Sequence, residues 1–242
     1  MRSARLLLLV AVATLGGCSV FQGSDPPATT PVAEPSPTPT FEPWVIATST
    51  EESVDVYTRP GDAEPARTVT AAEVVSLPGQ IPLTFLVLRR EADWVQVSLP
   101  DDVSTGWLAA EDVTFAVTEY GIEVRVRDHE LVLTDAGVVV LEVGVGIGID
   151  VPEPGIYYLK ELVQPPEVGG PYGAYAYGLA GFPPVLDRFS AGAGVIAIHG
   201  TVDASVIGTD VPRGSIHMLD ADITRMFEEF GLPLGTPVEI VE

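Results

Sequence analysis

The sequence predicts a mainly β protein of two domains with one helix near its C-terminus, and three patterns predict it. Residues 44–116 carry short apolar runs between turn residues, residues 117–242 carry longer alternating runs, and one stretch near residue 225 has helical spacing. In the first domain the predicted strands are Val54 to Tyr57, Phe85 to Leu88, Trp94 to Val97 and Gly106 to Leu108, with no helical period among them. In the second domain Leu141, Val143, Val145, Ile147 and Ile149 alternate with Glu142, Gly144, Gly146, Gly148 and Asp150. That alternation predicts one continuous strand with a buried apolar face, while the glycine face leaves room for a neighbouring backbone or a ligand. Ile223, Met226, Phe227 and Phe230 fall at i, i+3, i+4 and i+7, with Gly231 as the C-terminal cap and Pro233 beyond it, which predicts the helix.

Ahead of both domains, Arg2 and Arg5 precede an apolar run, Leu6 to Leu15, that is too short to span a bilayer and has the form of an export signal. The segment Leu15-Gly16-Gly17-Cys18 that follows resembles the bacterial lipobox. That resemblance implies cleavage before Cys18, a diacylglyceride on its thiol, and a protein exported to the cell envelope and lipid-anchored to the outer face of the cell membrane. The alternative is an ordinary secretory signal with an incidental cysteine. Cys18 is the only cysteine in the chain, so a leftover thiol would need a partner or a role. Two or three acyl chains supply the second hydrophobic signal that stable anchoring requires. Residues 1–18 are therefore assigned to the signal and 19–43 to a linker, since seven prolines lie there among Ser, Thr and Ala. An extended proline-rich chain of that length reaches roughly 75 Å.

Composition narrows the partners. The formal charge of −22 becomes −24 once the signal and its two arginines are removed, which argues against nucleic acid as a partner. No intrachain disulfide can form, so both domains must be held by apolar cores. Three histidines without carboxylate spacing make no metal ligand set, so no metal and no cofactor are expected. Gly144, Gly146 and Gly148 form a strand face and not a phosphate loop. Arg213-Gly214-Ser215-Ile216-His217 is not a nucleophile elbow.

Two family resemblances follow from particular residues. Pairing of Trp94-Val95-Gln96-Val97 with Ser104-Thr105-Gly106-Trp107-Leu108 resembles the end of a bacterial SH3-like barrel, assigned to residues 44–116; both tryptophans can equally be core residues of a plain spacer. Residues 117–242 resemble the catalytic domain of the YkuD-type L,D-transpeptidases. The likeness runs through Pro152-Glu153-Pro154-Gly155, Gly170 to Leu179, Ile196-Ala197-Ile198-His199-Gly200-Thr201, Ile207-Gly208-Thr209-Asp210, Arg213 to Met218, Asp222-Ile223 and Gly235 to Ile240. It implies a β-sandwich domain with a C-terminal helix, peptidoglycan stem peptides as the substrate, and acyl transfer as the reaction.

The family's second motif reads Ser-His-Gly-Cys-Ile-Arg-Met, and its cysteine attacks a peptide carbonyl. Here Pro212, Arg213, Ser215 and His217 stand where that motif has Ser, His, Cys and Arg. His199 matches the family's general base and lies 16 positions before Ser215. The resemblance assigns catalysis to His199 and Ser215, and oxyanion or substrate binding to Gly200, Arg213, Gly214, His217 and Tyr177. A thiol beside a histidine yields a useful thiolate, whereas a serine must hand over its proton during attack and needs an oriented imidazole and oxyanion donors. The bland alternatives are a buried histidine donating to a backbone carbonyl, a relic serine holding the old turn, a structural His217, and tyrosines at 172, 175 and 177 that only pack. Two functions stand side by side: a serine-dependent acyl transferase, and an inactive relative whose cleft binds wall peptides or a wall enzyme.

Overall fold

A computed structural model describes residues 41–71, 74, 79, 81–165, 170, 172–182, 196–212 and 214–242. Cys18, the linker up to residue 40 and Arg213 lie outside the described residues.

The first region is built from β1 (Trp44–Ser49), β2 (Ser53–Val56), β3 (Arg67–Thr70), β4 (Thr84–Glu91), β5 (Trp94–Ser98), β6 (Thr105–Ala109) and β7 (Val113–Thr118). Five of them form a sheet in the order β6-β5-β4-β1-β7, and β2 pairs with β3. Strand period decides the inside. In β5, Val95 and Val97 are buried while Trp94, Gln96 and Ser98 are not. With Val54, Val56, Val69, Phe85 and Leu108 they make one apolar core that both sheets enclose. The expected β5–β6 pairing is present, with Val95 opposite Leu108 and Gln96 opposite Trp107. The tryptophans pack: Trp107 is buried, and Trp94 meets the edge of Tyr57 at 4.9 Å.

The second region begins one residue after β7 and contains β8 (Tyr120–Arg125), β9 (Glu130–Asp135), β10 (Val138–Gly144), β11 (Gly146–Gly148), β12 (Gly155–Val163), β13 (Ala176–Leu179), β14 (Ala197–Thr201), β15 (Asp210–Val211), β16 (Ile216–Leu219) and β17 (Pro237–Val241). They form a ten-stranded sheet in the order β10-β9-β8-β17-β12-β13-β14-β16-β11-β15. Ile122, Val124, Leu131 and Val238 from one half share a core with Tyr177, Ile198, Ile216 and Met218 from the other, so the sheet folds over a single apolar interior. The chain is thus mainly β.

Two elements differ from the sequence expectation. The alternating run from Leu141 to Asp150 is not one strand but two, β10 and β11, which lie at different places in the sheet. The break falls at Val145, whose N–H donates to His129 O and whose carbonyl accepts from Gly208 N–H, so neither group belongs to a ladder. The glycine face receives neighbouring chain: a Cβ on Gly146 would lie 2.7 Å from Val206 O, and one on Gly144 would lie 3.1 Å from Ile207 Cγ2. The expected helix is α-helical only over α1 (Asp220–Arg225) and continues as a π turn over Met226–Phe230. Gly231 then ends it at φ 57°, a left-handed conformation that glycine adopts without steric cost.

The two regions meet across a joint in which Leu86 and Trp44 of the first pack on Tyr158 and Ala180 of the second. Lys160 sits at the bulge of β12, between Leu159 and Glu161 in its pairing with β13. A bulge turns a side chain away from the regular alternation. Its buried ammonium donates to Pro100 O of the first region at 3.0 Å and to Phe182 O of the second. Gly181 N–H shares the Pro100 carbonyl at 3.1 Å.

Candidate functional site

Parallel pairing of β14 with β16 places His199 opposite His217 and Ile198 opposite Ile216. Since successive side chains alternate between faces, Ser215 falls on the same face as His217 and His199. Ile198 and Ile216 point into the core on the other face. Antiparallel β11 brings Gly146 opposite His217, and Gly148 N–H donates to Ser215 O at 2.9 Å. On the far side, β13 brings Ala176 opposite His199. Small residues thus flank the two histidines and the serine.

His199 is 3% exposed, and its Nδ1 lies 2.9 Å from Gly200 O. A carbonyl only accepts, so Nδ1 carries the proton and Nε2 keeps its lone pair. The His217 ring stands edge-on at 4.3 Å and the Tyr172 ring edge-on at 5.0 Å. Burial, reinforced by the neighbouring His217, drives the His199 pKa down to about 3, so the imidazole is neutral at physiological pH. Burial also lowers the pKa of half-buried His217.

The Gly200 residue is held on every side. Its N–H donates to Tyr175 O at 3.0 Å, its carbonyl accepts from His199, and a methyl on its Cα would collide with Asp220 Oδ1 and approach Ala174 N to 3.1 Å. Asp220 Oδ1 in turn accepts from Ala174 N–H at 3.1 Å.

Of the residues expected from the sequence, His199 and His217 lie in ring contact and Gly200 O accepts from His199, while Ser215 directly precedes the strand that bears His217. Gly200 N–H is already engaged by Tyr175 O, so this residue serves the imidazole and not an incoming oxyanion. Gly214 is buried where a side chain would meet Asp150 O at 2.6 Å. Tyr177 is not part of the site: it pairs with Ile198, points to the opposite face and is fully buried in the core. Its parity along β13 decides this, because Ala176 takes the position facing the site. Tyr175 packs on Phe227 at 4.2 Å, so of the three tyrosines only Tyr172 touches His199. No group of side chains among the described residues has a metal-binding arrangement. Asp220 carried no sequence signal beyond starting a helix, since its partner lies 46 residues upstream.

No family model matches the chain, and no curated protein matches it. Among solved structures it is similar to Bd1075 of Bdellovibrio bacteriovorus, 26% identical over 52% of this chain and 48% of that one, with a TM-score of 0.40. It is also similar to an L,D-transpeptidase of Xylanimonas cellulosilytica, 13% identical over 51% of this chain and 61% of that one, at 0.38. An L,D-transpeptidase from Mycobacterium smegmatis is 12% identical over 78% of this chain and 99% of that one, also at 0.38. The chain thus spans about half of Bd1075 and 61% of the Xylanimonas chain. Likenesses this distant decide neither fold nor chemistry, which rest on the residues themselves.

Proposed function

We propose that this is a peptidoglycan-modifying protein of the L,D-transpeptidase type, held at the outer face of the cell membrane by lipid on Cys18, with Ser215 in the nucleophile position. The observation that carries this reading is the Nδ1–H···O=C bond from His199 to Gly200, on the sheet face that also bears Ser215. That bond fixes the tautomer a general base requires. In the reaction, Ser215 Oγ bonds to a stem-peptide carbonyl carbon and passes its proton to His199 Nε2. The carbon–nitrogen bond then breaks and the imidazolium returns the proton to the leaving amine. A second stem's amine, or water, resolves the ester by the reverse proton route.

A second reading, binding of wall peptides without turnover, is favoured by the burial of His199. An imidazole held down to about pKa 3 accepts a proton reluctantly, and a serine depends on that transfer far more than a thiol does. Mass spectrometry of the full chain incubated with a carbapenem separates the readings. Acylation at Ser215 that is lost in His199→Ala establishes the serine acyl transferase. No adduct on the natural protein but a stable one on Ser215→Cys establishes a peptide cleft without turnover. Absence of an adduct on both, with folding confirmed, sinks the assignment altogether.

A further inference from the structure

Asp220 bears on the one backbone group that orients the imidazole. As the first residue of α1, directly after β16, it has its backbone direction set by the start of the helix. Its Oδ1 accepts from Ala174 N–H, and the same oxygen fills the space that a side chain on Gly173 or on Gly200 would need. Gly173 has φ +62°, so glycine is demanded there twice over, by the backbone conformation and by the carboxylate against it. The turn held in this way carries Tyr172, whose ring lies on His199, and leads into Tyr175, whose carbonyl takes the Gly200 N–H. One oxygen therefore ties the turn before β13 to the end of β14 where Gly200 O meets His199 Nδ1.

A helix-start acid has an ordinary use, since a negative charge there complements the helix dipole. Two observations point beyond it. Among the described residues no hydrogen bond joins its carboxylate to the helix's own backbone, and its Oδ1 is spent on a residue of another element. We propose that Asp220 is the positioning residue of the site, which fixes the Gly200 carbonyl so that His199 keeps its proton on Nδ1 and its lone pair on Nε2. This inference rests on the reading of His199 and Ser215 as the working pair.

The chain has three histidines, so ¹⁵N labelling of their imidazoles in the full chain allows His199 to be followed by NMR across pH. The titratable groups facing His199 are His217 from β16 and Tyr172 from the turn, and both stay in place in the variants used. Asp220→Ala removes the acceptor; the expected result is loss of the single Nδ1–H tautomer and an upward move of the His199 titration by about one unit or more. Asp220→Asn keeps an oxygen for Ala174 N–H and is expected to preserve both, although it loses the charge a dipole role needs. Should Asp220→Ala not fold, Asp220→Ser, too short to reach Ala174, carries the same expectation. In a Ser215→Cys background, Asp220→Ala should slow carbapenem acylation roughly ten- to a hundredfold. The proposal is overturned if a folded Asp220→Ala or Asp220→Ser leaves tautomer and titration unchanged, or if Asp220→Asn behaves as Asp220→Ala does. Failure of Ser215→Cys to be acylated with Asp220 intact counts against the acyl-transfer reading alone, because the NMR result stands independently of turnover.

Discussion

Lys160 in the joint and His199 in the site are both basic side chains withdrawn from water, at 1% and 3% exposure. Lys160 donates to two backbone carbonyls drawn from two regions of the fold, Pro100 O and Phe182 O. His199 donates to one carbonyl, that of its own neighbour Gly200, and can shed its charge at a pH where lysine does not. Burial lowers both pKa values, but the lysine has carboxylates near it, Glu161 and Asp101, that push back toward the charged form. The histidine has a second histidine, which pushes the other way, and only the Gly200 carbonyl to push back. Desolvation of the same kind thus builds a fastener in one place and a neutral hydrogen-bonding base in the other, according to what surrounds it.

That contrast can be broken most strongly at the joint. Lys160→Ala leaves a cavity and deprives Phe182 O of its lysine donor, so it should cost about 3 kcal/mol in denaturant unfolding. Lys160→Met, which keeps the volume, should cost less. Equal losses in the two variants would show that packing and not the donor matters.

Acid should break the site next. His199 titrates near 3 when folded and near the ordinary 6.5 when unfolded, so between those values the unfolded chain binds a proton that the folded chain refuses. The resulting stability is complete above about pH 6.5 and is lost as pH falls toward 3, with roughly 3 kcal/mol gone between pH 7 and 4. Unfolding curves at several pH values should show this slope in the natural protein and a much flatter one in His199→Gln. The same slope in both would remove the case for a buried neutral imidazole.

The smallest effect sharpens the comparison with a buried polar atom of a different kind. Tyr177 Oη is buried without a hydrogen-bond partner among the described residues. Tyr177→Phe should therefore be neutral or stabilising by up to about 1 kcal/mol in thermal unfolding, whereas a loss of that size would reveal a partner.

The parts of the structure legible in sequence are those set by local period. Val95 and Val97 declare their inward face, and Ile223, Met226 and Gly231 declare a helical segment and its end. What stayed hidden depends on contacts distant in sequence. Alternation continues through Val145 without interruption, yet His129 O and Gly208 N–H pull that residue out of both ladders. Tyr177 and Tyr175 share a parity, and only the pairing with β14 reveals that it is the core parity. A lysine in a strand reads as an outward residue, and nothing near Lys160 in sequence announces Pro100, 60 positions away. For the site, motif resemblance points to His199 and Ser215, but the backbone bond that orients His199 and the carboxylate behind it emerge only in three dimensions.

The placement of β17 has a consequence for the order in which the protein assembles. It lies between β8 and β12, parallel to the first and antiparallel to the second, and among the described residues it joins the β10-β9-β8 hairpins to the half-sheet that carries His199. Ile122 and its partner Val238 are 116 residues apart. The β8-β9-β10 meander can form early from neighbouring chain, but closing so long a loop is entropically late and slow. Until Pro237–Val241 slots in, two sheet edges stand open, and β8 and β12 offer unpaired backbone to any other extended chain. Newly made molecules are therefore most prone to pair with one another at that stage, and a chaperone that shields extended segments would be most useful in the interval before the central strand arrives.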